Sequence, residues 1–121
     1  MTMTPFSKMH ALGNDFVVID NRDNKFIPNI KTVQKMANRH LGVGFDQLLM
    51  VTNAPNKNTD FGYQIFNANG QEVGQCGNGA RCLAHFILHQ KISTKKQLTL
   101  TTNTTTMQVN HIQHNDFAVT M

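Results

Sequence analysis

Runs of two-residue periodicity and runs of helical periodicity divide this chain into elements. Phe6–Leu12 and Phe16–Asp20 read as two strands joined by a polar turn at Gly13-Asn14-Asp15. A loop over 21–28 follows. Asn29 is placed to cap a helix over Ile30–His40, which carries Ile30, Val33, Met36, Ala37 and His40 or Leu41 on one face and stops at Gly42. Leu48–Val51 is an apolar strand entered through Asp46 and Gln47. Beyond a polar loop over 53–60, Phe61–Phe66 is the next strand, and Asn69-Gly70 reverses the chain. After Gly79 the pattern changes. Ala80, Cys82, Leu83, Ala84, Phe86, Ile87 and Leu88 spread around most of a helix's circumference, which predicts a central helix buried on all sides and wrapped by sheet. Gln97–Thr102, Met107–Ile112 and Phe117–Thr120 then read as antiparallel strands, with turns at Asn103 and His114-Asn115-Asp116.

The candidate chemistry sits where the central helix begins. Cys76 precedes Gly77-Asn78-Gly79, residues that let a backbone turn sharply and approach a ligand closely. A helix's first amides lack intrahelical partners and carry the positive end of its dipole, so this turn suits a carboxylate or phosphate and lowers the pKa of a thiol. Cys82, one and a half turns on, reads as packing. His85 and His89 share a helix face, but no third ligand completes a metal site, and none is expected. A Cys76–histidine pair of protease type, through His10 or His40, stays open on spacing alone. Gly74, Gly77 and Gly79 fit neither a dinucleotide fingerprint nor a P-loop.

Length and charge narrow the picture further. The 121 residues suffice for one domain with a modest core, and the net charge of +4 comes from basic residues scattered except at Lys95-Lys96. Without a basic patch interleaved with aromatics, nucleic-acid binding is not expected. No apolar run approaches membrane-spanning length, and the first residues lack a signal peptide's hydrophobic segment. Cys76 and Cys82 are expected to point apart and remain unbridged, which fits a reducing cytoplasm.

Four blocks in order, MHALGNDFVVID, ANRHLGVGFDQLL, IFNANGQEV and QCGNGARC, resemble the diaminopimelate epimerases. Ala11 and Asn69 depart from the family's usual Gly and Asp but leave the turn chemistry intact. The resemblance implies an α+β lobe, a mostly antiparallel curved sheet around the central helix with one further covering helix. It implies a cofactor-independent isomerase of lysine and peptidoglycan precursor synthesis, interconverting LL- and meso-diaminopimelate. One cysteine thiolate removes the α-proton while a second cysteine delivers one from the opposite face. Cys76 is the matching cysteine here. Asn14 and Gln47 match substrate-binding positions; Asn67 and Asn78 are carboxamides suited to hold an amino acid's ammonium and carboxylate, and the amides of Gly77 and Asn78 would take the α-carboxylate.

The second cysteine belongs to a second lobe, so residues 1–121 are expected to form a single N-terminal lobe, inactive alone and prone to self-association through the face its partner lobe would cover. Two other readings are open: a lobe of the proline racemase or hydroxyproline epimerase kind, and a small binding domain with a structural cysteine.

Overall fold

A computed structural model describes residues 5–11, 13–74, 77–113 and 116–120. Cys76 therefore lies outside the described residues, as do Leu12 and the expected turn residues His114 and Asn115. Strands β1 (Ser7–Ala11) and β2 (Asn14–Asp20) form an antiparallel hairpin, with Ala11 opposite Asn14. Gly13, at φ +85°, supplies the reversal. The turn is shorter than the expected Gly13-Asn14-Asp15, because Asn14 and Asp15 already pair with Ala11 and His10.

Helix α1 (Ile30–Ala37) is capped as expected, with Asn29 Oδ1 accepting from the Thr32 amide at 2.9 Å. It ends three residues before the expected His40. Asn38 Oδ1 accepts from the His40 and Leu41 amides at 2.8 and 2.9 Å, a local turn that competes with further helix. Val33 and Ala37 are buried, whereas Ile30 and Leu41, expected on the same face, are 58% and 90% exposed.

Strand β3 (Gln47–Asn53) lies parallel to β2, and β4 (Phe61–Asn67) returns antiparallel to β3. A two-residue strand, β5 (Glu72–Val73), folds back on β4 after the Gly70 turn. Helix α2 (Gly77–His89) then crosses to β6 (Gln97–Thr101), parallel to β4, and β7 (Thr106–Gln113) and β8 (Asp116–Thr120) continue antiparallel. The strand order is β1-β2-β3-β4-β6-β7-β8, with β5 also on β4. The sheet is thus mostly antiparallel, as expected, with parallel pairs at the two helical crossovers.

Both outer strands, β1 and β8, pack on α2, so the sheet curls around it. One face puts Phe16, Val18, Leu49, Val51, Tyr63 and Ile65 with the apolar side chains of α2. The other puts Val17, Ile19, Leu48, Met50 and Phe66 with Val33, Ala37 and Phe45, under α1. Burial on both faces is why β2 and β3 read as continuous apolar runs.

Helix α2 is buried over most of its circumference, including Cys82. It is not sealed on all sides. Arg81, His85 and His89, four apart, form a stripe that is exposed at its ends and half-buried at His85. Neither described helix is long and apolar enough to cross a membrane.

Candidate active site at the start of helix α2

Strand register converges three of the expected site residues. Phe16 pairs with Gln47, and Gln47 pairs with Asn67. Residues two apart share a strand face, so Asn14, two before Phe16, lies on that face as well. Phe16, Leu49 and Ile65, the neighbours two residues away on the three strands, all pack towards α2. Asn14, Gln47 and Asn67 therefore occupy the ends of β2, β3 and β4 on the side of the sheet that holds α2. Gln47 Nε2 donates to Asn67 Oδ1 at 3.0 Å, fixing these two carboxamides against each other.

Helix α2 starts at this same end. A cavity of about 250 Å³ is lined by Ala11 and Met9 of β1 together with Arg81 and Cys82, near the helix start. A second, of about 410 Å³, is lined by Ser7 and Asp20 together with Phe86 and Gln90, near its end. The helix thus runs with its N-terminus towards Ala11 and Asn14. Gly77, its first residue, borders open space, since a Cβ added there would meet nothing within 4 Å. Asn78 follows in the first turn, and its Oδ1 accepts from Arg81 Nη1 at 3.0 Å.

Three supports hold this end of the sheet in place. The first is a charge network beneath the strand entrances. Arg39 Nη1 donates to Asp15 Oδ2 at 2.8 Å and Nη2 to Asp46 Oδ1 at 3.2 Å, while His10 Nδ1 pairs with Asp15. Asp46 Oδ2 accepts from the Asp15 amide at 2.8 Å. Arg39, with His10 adding to it, holds the Asp15 carboxyl below its ordinary range, and Asp15 in turn raises Arg39. Asp46 precedes Gln47 at the entrance to β3. It alternates with Gln47 and so points to the other face, where it braces the backbone.

The second support is α1, where Gln34 Nε2 donates to the Asn69 carbonyl at 2.9 Å beside Gly70. The third is the turn after β6, where Thr102 Oγ1 donates to the Gly74 carbonyl at 2.7 Å, two residues before Cys76. Arg39, Gln34, Thr102 and Arg81 were not singled out in the sequence. Except for Asn78–Arg81, three apart on one helix, these contacts span 7 to 35 residues and leave no local pattern.

Among the described residues, no group of three or more His, Cys, Asp or Glu gathers to hold a metal. His85 and His89 do stack, with ring centroids 5.8 Å apart. His85 is shifted to lower pKa by burial, and further by His89 and His111.

A family model described as diaminopimelate epimerase matches residues 6–121. The chain belongs to the diaminopimelate epimerase family. A diaminopimelate epimerase from Buchnera aphidicola subsp. Baizongia pistaciae (strain Bp) is 51% identical over 117 residues, covering 96% of this chain and 41% of that relative. One from Legionella pneumophila (strain Paris) is 48% identical over 116 residues, covering 96% of this chain and 42% of the relative. The chain thus spans about two fifths of the length of these epimerases.

Among solved structures, a hydroxyproline epimerase from Agrobacterium vitis, with bound trans-4-OH-L-proline, aligns with a TM-score of 0.74 at 12% identity, covering 96% of this chain and 40% of that one. At that identity the likeness concerns the fold alone. It matches the curled sheet around a central helix.

Proposed function

We propose that this chain supplies one half of the active site of a diaminopimelate epimerase, with Cys76 as one of its two acid–base thiols. The observation that carries the reading is the convergence of Asn14, Gln47 and Asn67, from three strands, on the sheet face and sheet end where α2 begins. Three neutral carboxamides there can hold an amino acid's ammonium and carboxylate groups without changing the charge of the site.

In this reading the α-carboxylate docks on the Gly77 and Asn78 amides beside the open space at Gly77. Charge moves towards that carboxylate as the α-proton leaves, so the helix start stabilises the developing carbanion as well as anchoring the ground state. The same field favours the thiolate of Cys76, which takes the α-proton. A second cysteine, from outside residues 1–121, delivers a proton to the opposite face. The substrate is the small amino acid diaminopimelate, no cofactor takes part, and the setting is the cytoplasm.

The thiol is the test. Iodoacetamide alkylation followed against pH is expected to show a reactive cysteine titrating below the ordinary thiol value, mapped by peptide mass to Cys76 and lost in Cys76→Ala. Two inert cysteines would leave a binding domain as the better reading. The 121-residue chain alone is expected to give no turnover of meso-diaminopimelate above the Cys76→Ala control.

A further inference from the structure

Arg81 makes two directed contacts from one side chain. Its Nη1 donates to Asn78 Oδ1 at 3.0 Å and its Nε to the Phe117 carbonyl of β8 at 3.2 Å. A guanidinium has five N–H donors and no acceptor, and it does not lose its charge in proteins. Whatever it meets on Asn78 must therefore be the carbonyl oxygen. A carboxamide gripped by its oxygen has one orientation left, with both N–H groups of Nδ2 turned away from the arginine.

The second contact fixes Arg81 itself, since the Phe117 carbonyl belongs to the backbone of a strand packed on α2. The side chain is otherwise exposed and lines the cavity between β1 and α2 with Met9, His10 and His85, and among the described residues these two bonds hold it in one place.

We propose that Arg81 is a positioning residue that locks the Asn78 carboxamide as a hydrogen-bond donor, so that Asn78 recognises a carboxylate and not an ammonium group. This rests on the reading that α2's first turn binds the substrate's α-carboxylate, and it assigns Asn78 one of the two roles a carboxamide can play. It also defines the residue types that position 81 tolerates. Lysine, a donor only, still enforces the orientation. Glutamine, both donor and acceptor, does not.

The experiment is protection of Cys76 from iodoacetamide by meso-diaminopimelate, titrated into the millimolar range, with circular dichroism to establish folding of each variant. Arg81→Gln is expected to need about tenfold more ligand for half-protection, the worth of one hydrogen bond to a charged group, and Arg81→Lys less than about threefold more. In an Asn78→Ala background, Arg81→Gln should add nothing, because the residue it orients is gone.

Equal losses for lysine and glutamine, or an undiminished arginine effect without Asn78, would overturn the assignment while leaving carboxylate binding in place. A wild-type chain whose Cys76 is reactive yet unprotected at every concentration would remove the binding reading itself, and this inference with it. Should Arg81→Gln fail to fold, Arg81→Met, which keeps an unbranched apolar stem but has no donor, with and without Asn78→Ala carries the same decision: coupling supports the role and additivity refutes it.

Discussion

Gly70 and Gly13 sit at almost the same backbone angle, φ +90° and +85°, in quite different surroundings. A Cβ on Gly13 would meet nothing within 4 Å. On Gly70 it would lie 2.7 Å from the carbonyl oxygen of Ile30 and 2.8 Å from its Cα, at the start of α1. Alanine at Gly13 therefore carries only the strain of left-handed backbone, roughly 1–2 kcal/mol, less what it saves by restricting the unfolded chain, about 0.5 kcal/mol. At Gly70 the same strain is joined by overlap with backbone, which no rotamer change relieves, at typically 1–3 kcal/mol.

Gly70→Ala is thus expected to destabilise by about 2–4 kcal/mol and Gly13→Ala by about 1 kcal/mol. The difference between them is the cost of that overlap, which exists only because the Asn69-Gly70 turn packs against the start of α1. Urea titration of both variants measures it, with unchanged m-values as the sign that the surface exposed on unfolding is the same in both. Truncating Ile30 to alanine should not rescue Gly70→Ala, since two of the three nearest atoms are backbone and Cα. Equal destabilisation at the two sites, within about 0.5 kcal/mol, would refute the packing of this turn against the helix.

Gly74→Ala should lose about 1–3 kcal/mol and, unlike Gly70→Ala, regain part of it with Thr104→Gly, because its Cβ would sit 1.8 Å from Thr104 Oγ1 and 2.8 Å from Thr104 Cβ; a double-mutant cycle by thermal melting without coupling would count against it. His85, pushed below its ordinary 6.5 by burial and by His89 and His111, favours the neutral ring in the folded state, so its contribution is present above pH 6.5 and is lost as pH falls from there to the folded value. His85→Gln should flatten the stability profile in that window, and an unchanged slope would exclude the mechanism. Asn38→Ala removes the acceptor for the His40 and Leu41 amides and is expected to cost about 1 kcal/mol, with faster amide hydrogen exchange at those two positions as the local readout.

The sequence of itself determined the kind of element at almost every position that matters. Apolar groups around α2 required a buried helix, the apolar runs Phe16–Asp20 and Leu48–Val51 marked strands, and the Asn29 and Asn69-Gly70 signals punctuated the chain where the structure does. The family blocks pointed to Asn14 and Gln47, and the chemistry of the turn and helix start to Asn67, Cys76, Gly77 and Asn78, without any coordinates.

What only the tertiary structure decided is how these residues meet. Local propensity carries no information on register across 20 residues or more. The Gln47–Asn67 pairing, the seat of the Gly70 turn on Ile30 and the Thr102 hydroxyl beneath Gly74 are therefore silent in the chain. Even the end of α1 was misread, because a single asparagine side chain can cap amides ahead of it more favourably than the helix can continue. Periodicity reports which face of an element is buried. The partners of its polar ends are set by the closing of the sheet around α2.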